Sequence, residues 1–247
     1  MSNQKPTIVL VHGAFAESAS WNGVIARLQE HGVRAIAAAN PLRSLSSDAA
    51  YVRDVIASVD GPVVLVGHSY AGMIITQAAA DSSNVVGLVY VNAFVPETGQ
   101  SAFDLSTSAP GSTLGDALAA YPVATGGNEY VIRPELFHDQ FAADVPEDVT
   151  DIMAATQRPV TQAALSEGLA TDRPAWNDIP SWHVFGDQDR NIPVAVLRAG
   201  AARASSRGTT EIAGASHATS VSNPEAVAAT IAEAGKAYVA ASEEAAA

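Results

Sequence analysis

A hydroxyl, an imidazole and two carboxylates follow predicted strands in this chain: Ser69, His217, and the pair Asp187 and Asp189. A serine hydroxyl is a poor nucleophile at neutral pH and needs a base within about 2.6 to 3.2 Å. Histidine suits that role because its ordinary pKa is about 6.5, and a carboxylate on its other ring nitrogen fixes the tautomer. Residues of these types, in the chain order Ser, Asp, His, could together perform nucleophilic catalysis.

Ser69 lies at a predicted junction between a strand and a helix. The segment VVLVGHSYAGM (63–73) is apolar for four residues, becomes small and polar around Ser69, and then continues as an apolar helix-like run. A nucleophile at such a sharp turn needs small residues two positions before and after it, and Gly67 and Ala71 both qualify. Ala71 departs from the G-x-S-x-G pattern by one methyl group. The alternative is that Ser69 is only a helix N-cap, a common role for serine.

Apolar runs alternate with amphipathic segments in the two outer parts of the chain, which predicts a parallel sheet with helices on both faces. The predicted strands are 7–12, 33–38, 63–66, 85–91, 181–185 and 209–213, and the predicted helices are 21–29, 48–59, 70–80, 193–204 and 224–241. The tail 242–247 is expected to fray. The ligand crevice of such a sheet lies at the carboxyl ends of its strands, where the loops carrying Ser69, Asp189 and His217 begin.

The middle of the chain, residues 96–178, has a different character. It is rich in Gly, Pro, Ser and Thr and shows no strong strand pattern. Its predicted helices are 117–121, 134–141, 147–155 and 161–169. An insertion of this kind between two core strands predicts a helical cap over the carboxyl edge of the sheet, with residues 1–95 and 179–247 forming the core.

Composition excludes several classes of function. Of the 247 residues 48% are hydrophobic, which is enough for one large α/β core. The formal net charge of −13 argues against binding to nucleic acid and against electrostatic docking to an anionic membrane. The chain has no cysteine, so disulfides and thiol nucleophiles are excluded. No apolar run is long enough to span a bilayer, and we expect a cytoplasmic protein.

Four segments together resemble the α/β-hydrolase superfamily, and more narrowly the plant-type esterase and hydroxynitrile lyase group with its bacterial relatives. They are VLVHGAFAESASW (9–21), VVLVGHSYAGM (63–73), FGDQDRNIP (185–193) and GASHATSVSNPEAV (214–227). The resemblance implies the α/β-hydrolase fold and a catalytic triad of Ser69, His217 and Asp189. It also implies an oxyanion hole formed by the backbone N–H groups of Ala14 and Tyr70.

The same resemblance favours ester hydrolysis over the lyase reaction. In the plant lyases threonine replaces the glycine of the first loop and a lysine follows the catalytic histidine, whereas this chain has Gly13 and Ala218. We expect a carboxylesterase that cleaves small, largely apolar esters through an acyl-enzyme without a cofactor. The alternatives are hydroxynitrile lyase or cofactor-free oxygenase chemistry on the same scaffold, and a non-catalytic ligand receptor. A homodimer through the cap or an edge helix is compatible with the sequence.

The triad acid and the histidines other than His217 each have more than one possible role. Family spacing places the acid third after the glycine, which favours Asp189 over Asp187. We expect His12 to brace the oxyanion loop and His68 to be structural, whereas His138 is either a pocket residue of the cap or, as we expect, an exposed helix histidine. His31 and His183 are interpreted as surface or strand residues. No pattern typical of a metal site occurs.

Overall fold

The structure is a computed structural model and describes residues 5–245. Along this part of the chain the strands are β1 (Thr7–Val11), β2 (Ala35–Ala38), β3 (Val63–His68), β4 (Val85–Val91), β5 (Leu118–Pro122), β6 (Asn128–Ile132), β7 (Val160–Thr161), β8 (Ser181–Gly186) and β9 (Gly208–Ile212). The helices are α1 (Asn22–Glu30), α2 (Leu45–Ala57), α3 (Ala71–Ala80), α4 (Ala102–Ser106), α5 (Leu114–Ala117), α6 (Pro134–Phe141), α7 (Glu147–Thr156), α8 (Gln162–Ser166), α9 (Val194–Arg203), α10 (Thr219–Ser222) and α11 (Pro224–Glu244). Short 3₁₀ turns lie at Ser18–Trp21 and Ala175–Asn177.

Six parallel strands form the central sheet, in the order β2-β1-β3-β4-β8-β9. Each strand predicted for the core is present, with bounds that agree or differ by at most two residues. The chain runs from β1 outward to β2 and returns to β3 on the other side of β1. This reversal places the loops that follow β1 and β3 side by side, at the point where ligands bind in such sheets.

Helices cover both faces of this sheet, as predicted. Ile8 and Leu10 of β1 pack in one apolar cluster with residues of α1 and α11. Val9 and Val11 point to the opposite face and join a second cluster with residues of α2, α3 and α9. Alternate residues of one strand therefore serve two separate apolar layers, which explains why the strand sequences are apolar throughout. Within the described residues no helix combines the length and apolar character that crossing a membrane requires.

Between β4 and β8 the structure corrects the prediction of a purely helical segment. Strands β5, β6 and β7 form an antiparallel three-stranded sheet, and the helix predicted at 117–121 is wrong because this stretch is mostly β5. Gly126 and Gly127 both have positive φ, 94° and 78°, which lets the chain turn back between β5 and β6. Helices α6 and α7 match their predictions.

Two predicted helix boundaries also differ from those in the structure. The helix predicted at 161–169 shrinks to α8, because Thr161 belongs to β7 and its side chain caps α8 by accepting from the N–H of Ala164. The tail predicted to fray from 242 continues α11 to Glu244. Residues 246 and 247 of that predicted tail lie outside the described residues.

Candidate active site

Ser69 occupies a sharp turn between β3 and α3. Its φ of 57° lies in the left-handed region, which is uncommon for a residue other than glycine and marks local backbone strain. A Cβ atom on Gly67 would lie 2.7 Å from the carbonyl oxygen of Ala71, so the residue two before the serine must be glycine here. Ala71 is fully buried and accommodates its methyl group at the start of α3. The strand-to-helix elbow predicted from the sequence is present.

The end of β4 and the residues after it bind this elbow through backbone hydrogen bonds. The N–H of Ser69 donates to the carbonyl of Val91 at 3.2 Å, and the carbonyl of Ser69 accepts from the N–H of Phe94 at 3.3 Å. A Cβ atom on Gly72 would lie only 2.1 Å from the carbonyl oxygen of Phe94. Residue 72 must therefore be glycine for Phe94 to approach this closely. The requirement comes from a segment about twenty residues further along the chain, so the local sequence does not show it.

The loop after β1 reaches the same elbow. Gly13 lies against Ser69 so closely that a Cβ atom on it would be 2.6 Å from the Cβ of the serine. Its neighbour Ala14 is buried, as is Tyr70, which follows Ser69 directly. The two N–H groups that the sequence suggested as oxyanion donors therefore belong to adjoining segments.

His12 supports this loop from within, as the sequence predicted. Its Nδ1 donates to the carbonyl of Gly13 at 2.9 Å, and the side chain of Asn40 donates to the carbonyl of His12 at 2.8 Å. Burial lowers the pKa of His12 to about 4, so the ring is neutral at physiological pH.

His217 and Asp189 form a buried pair. Nδ1 of His217 lies 2.7 Å from Oδ2 of Asp189, and the other carboxylate oxygen accepts from the N–H groups of Asn191 and Ile192, each at 2.8 Å. Burial would raise the pKa of Asp189, but the charge of His217 and these donors together hold it below its ordinary value. An ionised Asp189 can only accept a hydrogen bond, so Nδ1 of His217 carries a proton.

The proton-accepting nitrogen of His217 is therefore Nε2. This atom is buried and has no hydrogen-bond partner among the described residues. Ser69 is 7% exposed, so the candidate nucleophile is itself almost enclosed. The hydroxyl of Ser69 therefore makes no hydrogen bond with Nε2 of His217 in this structure. An imidazole with a carboxylate behind it can act as a general base once a serine hydroxyl comes within reach, and a serine nucleophile needs such a base.

Asp187 and Asp189, two residues apart in the loop after β8, have different environments. Oδ1 of Asp187 accepts from the N–H of Gly214 at 2.7 Å and from the side chain of Gln188. Asp187 thus ties together the loops that follow β8 and β9, while Asp189 contacts His217.

His68 precedes the serine and supports the histidine loop. Its Nε2 lies 3.0 Å from the carbonyl oxygen of His217, and the two rings are 4.7 Å apart. Burial, aided by the nearby His217, lowers the pKa of His68 to about 3. A permanently neutral ring bonded to backbone agrees with the structural role predicted for it.

Helix α6 and the residues after it contact both loops that carry the pair, which sequence reasoning missed. The ring of Phe141 meets the ring of His217 edge-on at 4.9 Å. The side chain of Gln140 donates to Oδ1 of Asn191 at 2.7 Å, and Asp144 accepts from the hydroxyl of Ser216 at 2.5 Å. No local pattern in this helix distinguishes these residues from ordinary core residues.

The other histidines lie elsewhere. Nδ1 of His138 is 3.2 Å from the hydroxyl of Thr150, and the residue is half-buried between α6 and α7. It is therefore less exposed than the sequence led us to expect. His183 is a buried residue of β8, stacked on Tyr90, and His31 is exposed. Over residues 5–245, no three His, Asp or Glu side chains are grouped to hold a metal ion.

The parallel sheet and the serine elbow define an α/β-hydrolase fold. A family model described as the alpha/beta hydrolase family matches residues 8–230, which is most of the chain. The chain belongs to the alpha/beta hydrolase family. The resemblance to this superfamily that the four sequence segments suggested is confirmed.

Known proteins share this fold and part of the sequence. The chain is 27% identical over 177 residues to the carbendazim hydrolyzing esterase of Nocardioides sp. (strain SG-4G), covering 66% of this chain and 69% of that esterase. The crystal structure of polyneuridine aldehyde esterase superposes with a TM-score of 0.79 at 20% identity, covering 93% of this chain and 99% of that one. A pyrethroid hydrolase from Sphingobium faniae JZ-2 superposes with a TM-score of 0.74 at 22% identity, covering 94% and 98%.

Proposed function

We propose that this protein is a serine carboxylesterase that cleaves small, largely apolar esters through an acyl-enzyme. The observation that carries the proposal is the buried pair of His217 and Asp189, 2.7 Å apart, in the fold whose strained elbow presents Ser69. The names of the related proteins, which include an esterase acting on carbendazim and a hydrolase of pyrethroids, support hydrolysis as the reaction.

The proposed reaction has two halves. The hydroxyl oxygen of Ser69 attacks the ester carbonyl carbon while Nε2 of His217 takes its proton. Asp189 keeps the imidazole oriented and stabilises its positive charge. The tetrahedral intermediate collapses, the carbonyl C–O bond to the alcohol breaks, and His217 returns the proton to the leaving alcohol. A water molecule then attacks the acyl-enzyme with the same base, releasing the acid and free Ser69.

The negative oxygen of each tetrahedral intermediate requires donors that are already in place. We assign this role to the backbone N–H groups of Ala14 and Tyr70. Gly13 brings the first of these segments into contact with the serine, and Tyr70 lies at the start of α3, where backbone N–H groups favour negative charge. Loss of one such donor typically costs about 2.7 to 4 kcal/mol of transition-state stabilisation.

Residues 96–178 act, in this proposal, as the cap that selects the substrate. The contact of Phe141 with His217 supports a cap that covers the base. The buried apolar side chains near the site, among them Phe15 and Phe94, favour an apolar acyl or alcohol group.

Turnover of p-nitrophenyl butyrate by wild type, Ser69→Ala and Ser82→Ala tests the proposal. Ser82 donates to the carbonyl of Ala78 at the far end of α3 and is the matched control. We expect wild type and the Ser82 variant to hydrolyse the ester at similar rates, and Ser69→Ala to lose about a thousandfold or more. Undiminished turnover by Ser69→Ala would remove the assignment.

The alternative functions give different products. Release of cyanide and an aldehyde or ketone from a cyanohydrin would indicate a lyase, and oxidative cleavage of a quinolone-type substrate would indicate an oxygenase. Tight binding of a ligand without turnover would indicate a receptor. In each case, assay of Ser69→Ala on the same compound shows whether the observed reaction depends on the Ser69 hydroxyl.

A further inference from the structure

Asn92 is a fully buried polar residue directly after β4, and neither the sequence motifs nor the proposed reaction involves it. Its side chain donates from Nδ2 to Oδ2 of Asp189 at 2.9 Å. This is the same oxygen that lies 2.7 Å from Nδ1 of His217. Nδ2 also lies 3.4 Å from the carbonyl oxygen of Ser216, the residue before His217. The amide group of Asn92 therefore contacts both Asp189 and the loop that carries His217.

The backbone of Asn92 adds a third connection. Its N–H donates to the carbonyl of Val184 in β8 at 3.0 Å, which extends the pairing between β4 and β8 to the loop carrying the acid. Asn92 thus lies where the end of one strand, the acid loop and the histidine loop meet.

We propose that Asn92 is a positioning residue of the esterase site, which fixes Asp189 so that its Oδ2 faces His217. This proposal rests on the proposed function and deepens it. Two backbone N–H groups hold Oδ1 of Asp189, while His217 and Asn92 hold Oδ2. With four donors the carboxylate has one orientation. Without Asn92, His217 would be the only donor to Oδ2 among the described residues, and Asp189 would then depend on the residue that it has to orient.

The environment of the amide oxygen of Asn92, Oδ1, is evidence against a purely structural role. Oδ1 of Asn92 is buried without a hydrogen-bond partner among the described residues. A buried acceptor without a partner is costly, and a side chain that served stability alone would not need one. Turning the amide over would not help, because Oδ1 would then face the carboxylate of Asp189, acceptor against acceptor.

The backbone restricts which residue can supply the donor. Asn92 has φ of 43°, in the left-handed region, where glycine, asparagine and aspartate are the residues most readily tolerated. Glycine has no donor, and aspartate would place a second buried carboxylate beside Asp189. Asparagine satisfies both requirements, since it tolerates this backbone and donates an N–H.

The substitutions Asn92→Asp and Asn92→Gly test this role, since both tolerate the backbone conformation and both remove the amide donor. With p-nitrophenyl butyrate at pH 8, we expect kcat to fall about 10- to 100-fold in each, with little change in KM, because the lost interaction acts on the transition state. A merely structural role would not lower kcat of the folded variants while KM stays unchanged.

Thermal melting of each variant separates positioning from folding. If one variant is unfolded, the other carries the test, and rates are compared for folded protein only. A kcat within about twofold of wild type in a folded variant would overturn the role of Asn92. Failure of the proposed function looks different, because wild type itself would then neither hydrolyse esters nor react with a fluorophosphonate, and the proposal for Asn92 would fall with it.

Discussion

A Cβ atom on Gly13 would lie 2.6 Å from the Cβ of Ser69 and 2.6 Å from the carbonyl oxygen of His68. Carbon atoms that are not bonded to each other do not approach so closely, and one of these two neighbours is backbone. The loop after β1 can therefore meet the serine elbow only because residue 13 has no side chain. This contact sets how near Ala14 comes to the candidate nucleophile.

We predict that Gly13→Ala lowers kcat/KM for p-nitrophenyl butyrate by about 100-fold, because a displacement of about 1 Å between reacting groups has effects of this size. Gly115→Ala is the matched control, since nothing lies within 4 Å of a Cβ atom there. Steady-state kinetics of both variants measure the effect. A Gly13→Ala enzyme with wild-type kinetics would show that the first loop takes no part in the site.

Much of the core was predictable because its determinants are local. The six strands, the elbow at Ser69 and the loops that end in Asp189 and His217 all follow from apolar runs and the small residues next to them. The residues of this loop alone did not distinguish Asp187 from Asp189, and only family spacing favoured Asp189. Each carboxylate is bound by groups from the loop after β9, which lies far along the chain.

The parts that the sequence did not predict depend on distant contacts. The stretch 117–121 has alanines typical of a helix, but it pairs with β6 across the turn at Gly126 and Gly127, and that pairing outweighs local propensity. Asn92 and Phe141 look like ordinary core residues in the sequence. They meet Asp189 and His217 only after four or more elements have packed.

The side chain of Tyr70 anchors the elbow to α2, and its loss should destabilise the protein in a pH-dependent way. The hydroxyl of Tyr70 donates to Oδ2 of Asp48 at 3.1 Å, and both residues are buried. We predict that Tyr70→Phe lowers the free energy of unfolding by about 1 to 3 kcal/mol at pH 8, because an ionised Asp48 loses a partner. Urea unfolding at pH 5 and pH 8 measures this loss.

The sign of the pH effect follows from Asp48. Burial raises the pKa of Asp48, while the donated bond from Tyr70 lowers it, so Tyr70→Phe raises this pKa further. A group whose pKa is higher in the folded than in the unfolded protein stabilises the fold at low pH. This contribution is lost as the pH rises through the folded pKa. The loss caused by Tyr70→Phe should therefore be smaller at pH 5 than at pH 8, and Asp48→Asn combined with it should remove the difference. An equal loss at both pH values would contradict this account.

His183 should make the protein less stable in acid. Its ring stacks on Tyr90 with centroids 4.9 Å apart, and burial lowers its pKa to about 3. Between about pH 6.5 and pH 3 the unfolded chain binds a proton at this residue and the folded chain does not, so stability falls as the pH falls through this window. At pH 5 relative to pH 7 the loss from one such histidine is about 2 kcal/mol.

We predict that His183→Gln has a smaller difference in unfolding free energy between pH 7 and pH 5 than wild type, by about 2 kcal/mol. The variant is expected to be less stable in absolute terms, since it loses the stacking contact. His12 and His68, with pKa values lowered to about 4 and about 3, contribute in the same direction in both proteins and cancel in the comparison. Urea titrations at the two pH values provide the test, and an unchanged difference would show that His183 takes up a proton in the folded state.

The central claim is that the elbow and the buried pair make Ser69 a reactive nucleophile. Intact mass measured after treatment with a fluorophosphonate probe tests it without knowledge of the natural ester. The account predicts one adduct on the wild type, mapped to the peptide that contains Ser69, no adduct on Ser69→Ala, and much slower labelling of His217→Ala. An adduct that persists in Ser69→Ala, or a folded wild type that is never labelled, would contradict it.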